Sequence, residues 1–130
     1  MTLLTSEQVN QLADNFLDIA KAIGNYRFQN FGKLSKSENR KIKELQASVL
    51  DYSDNLYTLS ATLVMEAIET SLSSLASVTT QITDTYTKLE DIQKAINVAT
   101  SVVTLGESIL TKNPQAIADS ISRLIDTWGG

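Results

Sequence analysis

Apolar residues recur every three or four positions through most of this chain, which is the spacing of a helix face buried against other helices. The longest regular run lies between Glu38 and Leu105, where no glycine or proline interrupts the chain. A helix with such a run normally packs on other helices through a continuous seam. The seam residues in its first half are Leu45, Val49, Tyr52, Leu56, Leu59 and Leu63. The pattern therefore predicts an all-α fold.

Helix-capping signals divide the chain into about four predicted helices. Ser35 and Glu38 form a capping-box pattern at the start of the second helix, and Thr5 begins a similar pattern at the first. Asn113 followed by Pro114 is a strong start signal for the last helix. The predicted helices are 6–31, 38–70, 72–112 and 114–128. We expect them to form one helical domain over residues 1–130.

The apolar rhythm changes phase after Leu63, and two arrangements account for the change. In the first, the chain bends within residues 69–81, and the second and third helices form a long central helical hairpin in a bundle. In the second, a stutter leaves one very long unbroken helix flanked by two shorter ones. We expect the hairpin, because compact helical domains use shorter helices. The same phase change decides whether Glu66 lies on the seam or faces solvent.

The composition removes most kinds of catalytic site. The chain has no cysteine and no histidine. Thiolate nucleophiles, Ser-His-Asp triads, imidazole bases and zinc sites made of Cys and His are therefore excluded. No glycine-rich phosphate-binding loop is present. Carboxylates occur at helical spacing, but no Glu-x-x-His pattern joins them into a metal site. We expect no catalytic residue, no metal, no cofactor and no enzymatic activity.

The net charge of −4 is unevenly distributed. Seven basic residues and one acidic residue lie between Lys21 and Lys43, so this stretch carries +6 and the rest of the chain −10. The candidate residues for an anionic partner are Arg27, Lys33, Lys36, Arg40, Lys41 and Lys43, interleaved with Tyr26, Phe28 and Phe31. They predict either a patch for an anionic membrane surface or acidic protein, or a solvated helix end whose aromatic residues lie in the core. The acidic total argues against a nucleic-acid partner.

Residues 95–111 form the most apolar stretch of the chain and contain a single charge, Glu107. The candidate membrane-inserting residues are Val98, Val102, Val103, Leu105, Ile109 and Leu110. The stretch is typical either of a segment that leaves a bundle to enter a membrane, as in helical pore-forming proteins, or of a helix buried on most sides. It is short for a membrane span, which needs about 20 residues.

These patterns favour a non-enzymatic interaction or scaffolding module that acts by self-association or by packing with a partner helix. The reason is that the seam is too long for the short helices to cover. The alternative is a membrane-active protein, peripheral or pore-forming, that uses the basic aromatic stretch and residues 95–111. The Trp-x-Gly turn of small secreted helical hairpins is absent, since Trp128 is followed by Gly129 and Gly130. No signal peptide is visible, so we expect a cytoplasmic protein, with export by a non-classical route left open.

Overall fold

The computed structural model describes residues 6–58, 69–111 and 113–129. These residues form five α-helices: α1 (Ser6–Gln29), α2 (Lys36–Thr58), α3 (Glu69–Thr85), α4 (Ile92–Thr111) and α5 (Pro114–Gly129). Short 3-10 turns at Phe31–Lys33 and Tyr86–Lys88 follow α1 and α3. The all-α bundle predicted from the sequence is confirmed.

Each helix packs mainly against two others, in the closed order α1, α2, α4, α5, α3 and back to α1. Contacts along α1 and α2 show that they run antiparallel. Arg27 near the end of α1 bonds Asn39 near the start of α2, while Ser53 donates a hydrogen bond of 2.8 Å to the carbonyl of Ala13. The second and third predicted helices contact each other through α2 and α4. The other part of the third predicted helix, α3, packs on α1 and α5.

The apolar side chains inside this ring form one core. It includes Leu45, Val49 and Leu56 of the predicted seam, while Tyr52 is half-buried at its edge against Gly106. The seam is therefore covered by helices of the same chain over this length. Leu59, Leu63 and Glu66 lie outside the described residues, so the expectations for them stay predictions.

The prediction of one helix over residues 72–112 is wrong, because the chain turns at residues 86–91. The turn contains no glycine or proline, and its one local signal, Asp91 as a helix start, was not used in the sequence analysis. Asp91 begins the next helix as its N-cap, with its carboxylate accepting from the backbone N–H of Gln93 at 2.9 Å and of Lys94 at 3.2 Å. This cap satisfies two of the free donors at the start of α4 and stabilises the break.

The same break excludes the unbroken-rod alternative, and the placing of the predicted bend within residues 69–81 is also wrong. Residues 69–81, where the bend was predicted, are helical and belong to α3. The apolar rhythm continues through Ile82 and Tyr86, which are both buried, so periodicity alone extends the helix past its true end. Tyr86 lies four residues after Ile82, as the next buried residue of a helix would, although it belongs to the turn and not to α3.

Two of the predicted caps are confirmed. The hydroxyl of Ser35 accepts from the N–H of Glu38 at 3.1 Å, and the Glu38 carboxylate accepts from the N–H of Ser35 at 2.8 Å, which is a complete capping box. The box places the start of α2 at Lys36, two residues earlier than predicted. The side chain of Asn113 caps α5 through the N–H of Ala116 at 3.1 Å. Thr5 lies outside the described residues.

Hydroxyl groups join α4 to α5 at two levels. The hydroxyls of Ser108 and Ser120 lie 2.6 Å apart, and that of Ser101 donates to Thr127 at 3.3 Å. Ser101 lies seven residues before Ser108 on α4, whereas Thr127 lies seven residues after Ser120 on α5. The two helices are therefore antiparallel, and two helical turns separate the two pairs. These bonds satisfy polar groups that the packing removes from water.

α4 approaches α2 closely at Gly106, which is buried. A Cβ atom added there would lie 2.5 Å from Cδ2 and 2.6 Å from Cγ of Tyr52. Cγ is fixed close to the backbone of α2, so the ring cannot easily move away. The contact at Gly24 differs, since an added Cβ would meet the amide group at the far end of the Gln46 side chain, and that end can rotate.

Tyr86 and Tyr26 form an aromatic pair beneath the turn between α3 and α4. Both are fully buried, and their ring centroids lie 5.2 Å apart with the planes at 68°, an edge-to-face arrangement. The Tyr86 hydroxyl donates to the carbonyl of Ala95 at 2.6 Å, while that of Tyr26 has no partner among the described residues. Burial raises the pKa of both phenols, and the charges of Asp91 and Glu38 raise that of Tyr26 further.

We expect Gly106→Ala to lower the free energy of unfolding by roughly 1–2 kcal/mol. Overpacking against Tyr52 costs about 1–3 kcal/mol and outweighs the gain of about 1 kcal/mol in helix propensity. Gly24→Ala is the matched control and should be neutral or slightly stabilising, because Gln46 can move. Urea denaturation followed by circular dichroism measures both, and equal effects would contradict the close contact at Gly106.

We expect Tyr86→Phe to destabilise the fold by about 1–2 kcal/mol, since it leaves the carbonyl of Ala95 buried without its donor. Tyr26→Phe should be neutral or stabilising, because it removes a buried hydroxyl that makes no bond with the described residues. Thermal denaturation at neutral pH compares the two variants. Equal losses would show that the Tyr86 hydrogen bond is not the cause.

The same tyrosines give a pH dependence of known sign. A folded-state pKa above the unfolded value of about 10 means that folding favours the neutral phenol, so this stability is complete below pH ~10 and is lost as the pH rises further. Tyr86→Phe should therefore flatten the alkaline loss of stability. Ultraviolet absorbance of tyrosinate, titrated in buffer and in denaturant, should show ionisation at higher pH in the folded protein.

Candidate interaction site

The turn between α1 and α2 has a backbone conformation stabilised by its own hydrogen bonds. The N–H and the side-chain amide of Asn30 both donate to the carbonyl of Tyr26, at 3.0 and 2.9 Å. The carbonyl of Asn30 then accepts from the N–H groups of Lys33 at 2.8 Å and Leu34 at 3.2 Å. α1 thus ends at Gln29, two residues before the predicted end. We call residues 27–36 the α1–α2 corner.

Two phenylalanines at this corner project into solvent. Phe28 is 84% exposed and Phe31 is 60% exposed, which are the largest exposures of any large apolar side chain in the described part of the chain. Of the three aromatic residues in the basic stretch, Tyr26 alone lies in the core. The interpretation of this stretch as a helix end with buried aromatics is therefore wrong for Phe28 and Phe31.

One basic side chain lies beside these two rings, and a second is exposed in the same turn. Arg27 lines the same surface depression as Phe28 and Phe31, and its Nε donates to Oδ1 of Asn39 at 2.7 Å, which ties the guanidinium to α2. Lys33 belongs to the 3-10 turn that begins at Phe31, and it is exposed. Exposed apolar rings with cations beside them form a surface that is apolar at its centre and positive at its edge.

The other predicted contact residues lie elsewhere on α2. Arg40 and Lys41 line a depression between α2 and α4 together with Glu38, Glu44 and other residues, so their surroundings carry both signs of charge. Lys43 is exposed one helical turn further along. The structure thus places Arg27 beside the aromatic pair and leaves Lys33 and Lys36 exposed close to it in the chain, whereas Arg40 and Lys41 line a different depression.

The apolar stretch 95–111 is part of the bundle core. Most of its candidate inserting residues are buried in α4, namely Val98, Val102, Leu105 and Ile109, while Val103 is half-buried and Leu110 is 39% exposed. No helix in the described ranges has the length and apolar character needed to cross a membrane. In this structure the stretch packs on α2 and α5.

The described carboxylates do not converge on a metal-binding arrangement. Within residues 6–58, 69–111 and 113–129, no three acidic side chains form a group that could hold an ion. One carboxylate has a local role: Asp14 accepts a hydrogen bond from the Tyr57 hydroxyl, and that bond is the main reason that the pKa of Tyr57 is raised.

Comparison with family models, curated proteins and solved structures gave no match to this chain.

A sequence signal for the exposed rings does exist, although the sequence analysis missed it. The buried stripe of α1 runs through Phe16, Ile19, Ile23 and Tyr26 at spacings of three and four. Phe28 lies two residues beyond Tyr26, which is about 200° around a helix and therefore on the opposite face. Its position off the stripe was sufficient to predict exposure, whereas the exposure of Phe31 depends on the 3-10 turn.

We expect Phe28→Ser and Phe31→Ser to change the free energy of unfolding by no more than about 0.5 kcal/mol each, because neither ring is buried. Phe16→Ser, on the buried face of the same helix, should cost more than about 3 kcal/mol. Urea denaturation of the three variants tests the assignment. A large loss in either exposed variant would mean that its ring packs on the core.

Proposed function

We propose that this protein is a non-enzymatic helical module that binds an anionic membrane surface through the α1–α2 corner. The observation that carries the proposal is the exposure of Phe28 and Phe31 beside Arg27, with Lys33 exposed two residues after Phe31. Soluble proteins rarely leave large apolar side chains together on the surface without a use for them. The stretch between Lys21 and Lys43 also concentrates a charge of +6 in a chain whose net charge is negative.

The chemistry of the corner fits a lipid interface for two reasons. Aromatic rings partition into the boundary between headgroups and acyl chains, and removing each ring from water contributes about 1–3 kcal/mol. Lys and Arg near an anionic bilayer each add about 1 kcal/mol of attraction, which salt weakens. The acidic remainder of the chain would be repelled by the same surface, so it favours contact through the corner alone.

In this proposal the protein binds the surface and does not insert. The core position of α4 supports the peripheral form of the membrane hypothesis, since the release of Val98, Val102 and Leu105 would dismantle the bundle. We propose the cytoplasmic leaflet as the target, because its anionic lipids give it a negative surface potential. The scaffolding role expected from the seam stays a prediction, and it needs a surface other than the buried Leu45, Val49 and Leu56.

Flotation with neutral and anionic liposomes at low and moderate salt tests this function. We expect binding to anionic vesicles that weakens with salt, and no release of an encapsulated dye. The double variant Phe28→Ser/Phe31→Ser and the double variant Lys33→Glu/Lys36→Glu should each reduce partitioning at least about tenfold. We expect both variants to remain folded, because all four replaced side chains are exposed.

Matched controls come from exposed residues elsewhere in the fold. Leu110→Ser removes an exposed apolar side chain from α4 and is the control for the phenylalanine variant. Lys88→Glu/Arg123→Glu reverses two exposed charges away from the corner and is the control for the lysine variant. These variants should bind like the unmodified protein. Equal binding by the corner variants, or no binding by the unmodified protein, would refute the proposal. Dye release would point instead to insertion of residues 95–111.

A further inference from the structure

The outward face of α2 carries a second unpartnered surface, distinct from the aromatic rings of the corner. Its apolar members are Leu50 and Tyr57, which are 40% and 43% exposed and lie seven residues apart on one side of the helix. The exposed residues at spacings of three and four along this side are Lys36, Arg40, Lys43, Ala47, Leu50, Asp54 and Tyr57, and Asp51 is exposed beside them. We call this set the outer α2 face. Its spacings of three and four are those of a helix-packing seam.

Charge on this face changes sign along the helix. Lys36, Arg40 and Lys43 occupy its first part, with Glu44 exposed at their edge, whereas Asp54 lies in its last part with Asp51 beside it. The negative end extends onto α1, since Asp14 hydrogen-bonds the Tyr57 hydroxyl and Asp18 raises the pKa of the same tyrosine. The small side chain of Ala47 and the apolar one of Leu50 lie between the two charged ends.

A surface with one positive end, one negative end and an apolar centre is complementary to its own copy turned end for end. In an antiparallel pair of α2 helices, a residue nearer the start of one helix faces a residue nearer the end of the other. With Leu50 placed against the partner's Ala47, Lys43 faces Asp54 and Arg40 faces Tyr57. The two-fold axis repeats each contact, so each interface contains two Lys43–Asp54 pairs.

We infer that two copies of this chain pair through the outer α2 faces in this antiparallel register. The predicted seam does not make this contact, because Leu45, Val49 and Leu56 point into the core of their own chain. The inference does not rest on membrane binding, since Phe28 and Phe31 lie outside the outer α2 face. Ala47 allows the two helices to approach closely, and Leu50 fills the space beside it.

Charge exchange between positions 43 and 54 tests this pairing. The two residues are eleven positions apart on one helix, about 16 Å, so they cannot form an ion pair within a chain. Sedimentation velocity over a range of concentrations should show a dimer. Lys43→Glu and Asp54→Lys should each raise its dissociation constant about tenfold, since two attractive contacts become repulsive. The double variant Lys43→Glu/Asp54→Lys should restore the original dissociation constant, because an acidic side chain at position 43 then faces a basic one at position 54 of the partner.

Mixing the two single variants gives an independent readout. In a mixed pair, the two acidic side chains at positions 43 and 54 of the Lys43→Glu chain face the two lysines of the Asp54→Lys chain. Both contacts are then attractive, so the mixture should dimerise more tightly than either variant alone. All four side chains involved are exposed, and circular dichroism should show unchanged helix content. A loss of association in the single variants without recovery in the double variant or the mixture would overturn the inference.

Cross-linking locates the interface, because the chain has no cysteine of its own. Ala47→Cys lies near the two-fold axis and should form a covalent dimer with a short bis-maleimide. Ser122→Cys, which is exposed on α5, is the matched control and should not. A monomer at every concentration, or cross-linking at position 122 in place of 47, would overturn the proposed pairing.

Discussion

The contacts of Tyr86 hold the turn between α3 and α4, which lets these two helices pack in one closed bundle. Its ring is buried against Tyr26 of α1, and its hydroxyl bonds the first turn of α4 through Ala95. One side chain therefore joins α1, the turn and α4. The cap at Asp91 completes the change of direction, so α4 can return to α2 while α3 stays against α1 and α5. Without this turn, α3 and α4 would continue in one direction and could not pack on these different pairs of helices.

With the core closed, the exposed surface is what the protein presents to a partner. The chain has no thiol or imidazole, and it uses its apolar residues mainly to pack its own helices. Against that background, the side chains that stay exposed are informative: Phe28 and Phe31 at the corner, and Leu50 and Tyr57 on α2. The corner combines aromatic rings with positive charge, whereas the outer α2 face combines a small apolar centre with charges of both signs. The first arrangement suits an anionic surface, and the second suits a copy of itself.

These two surfaces are compatible in one molecule. A pair formed through α2 uses Arg40 and Lys43 in contacts with its partner and leaves Phe28, Phe31 and Lys33 outside the interface. Such a pair carries two corners, and two weak membrane contacts on one particle bind more tightly than either alone. Self-association, which the sequence favoured as the main activity, would then support surface binding and need not be a separate function.

The sequence by itself determined the helical class, because heptad spacing and the scarcity of glycine and proline are local properties. It also determined the caps at Ser35 and Asn113, whose partners lie within three residues. It excluded the chemistry of thiols and imidazoles by composition. The tertiary structure decided the rest. The turn at residues 86–91 contains no glycine or proline and combines the local cap at Asp91 with burial of Tyr86 against α1. The exposure of Phe31 depends on the 3-10 turn after α1, and the coverage of the seam depends on which helices return to it. The turn at residues 86–91 and the coverage of the seam are set by contacts between residues far apart in the chain. The 3-10 turn is set by hydrogen bonds around Asn30, and periodicity along the sequence registers neither kind of contact.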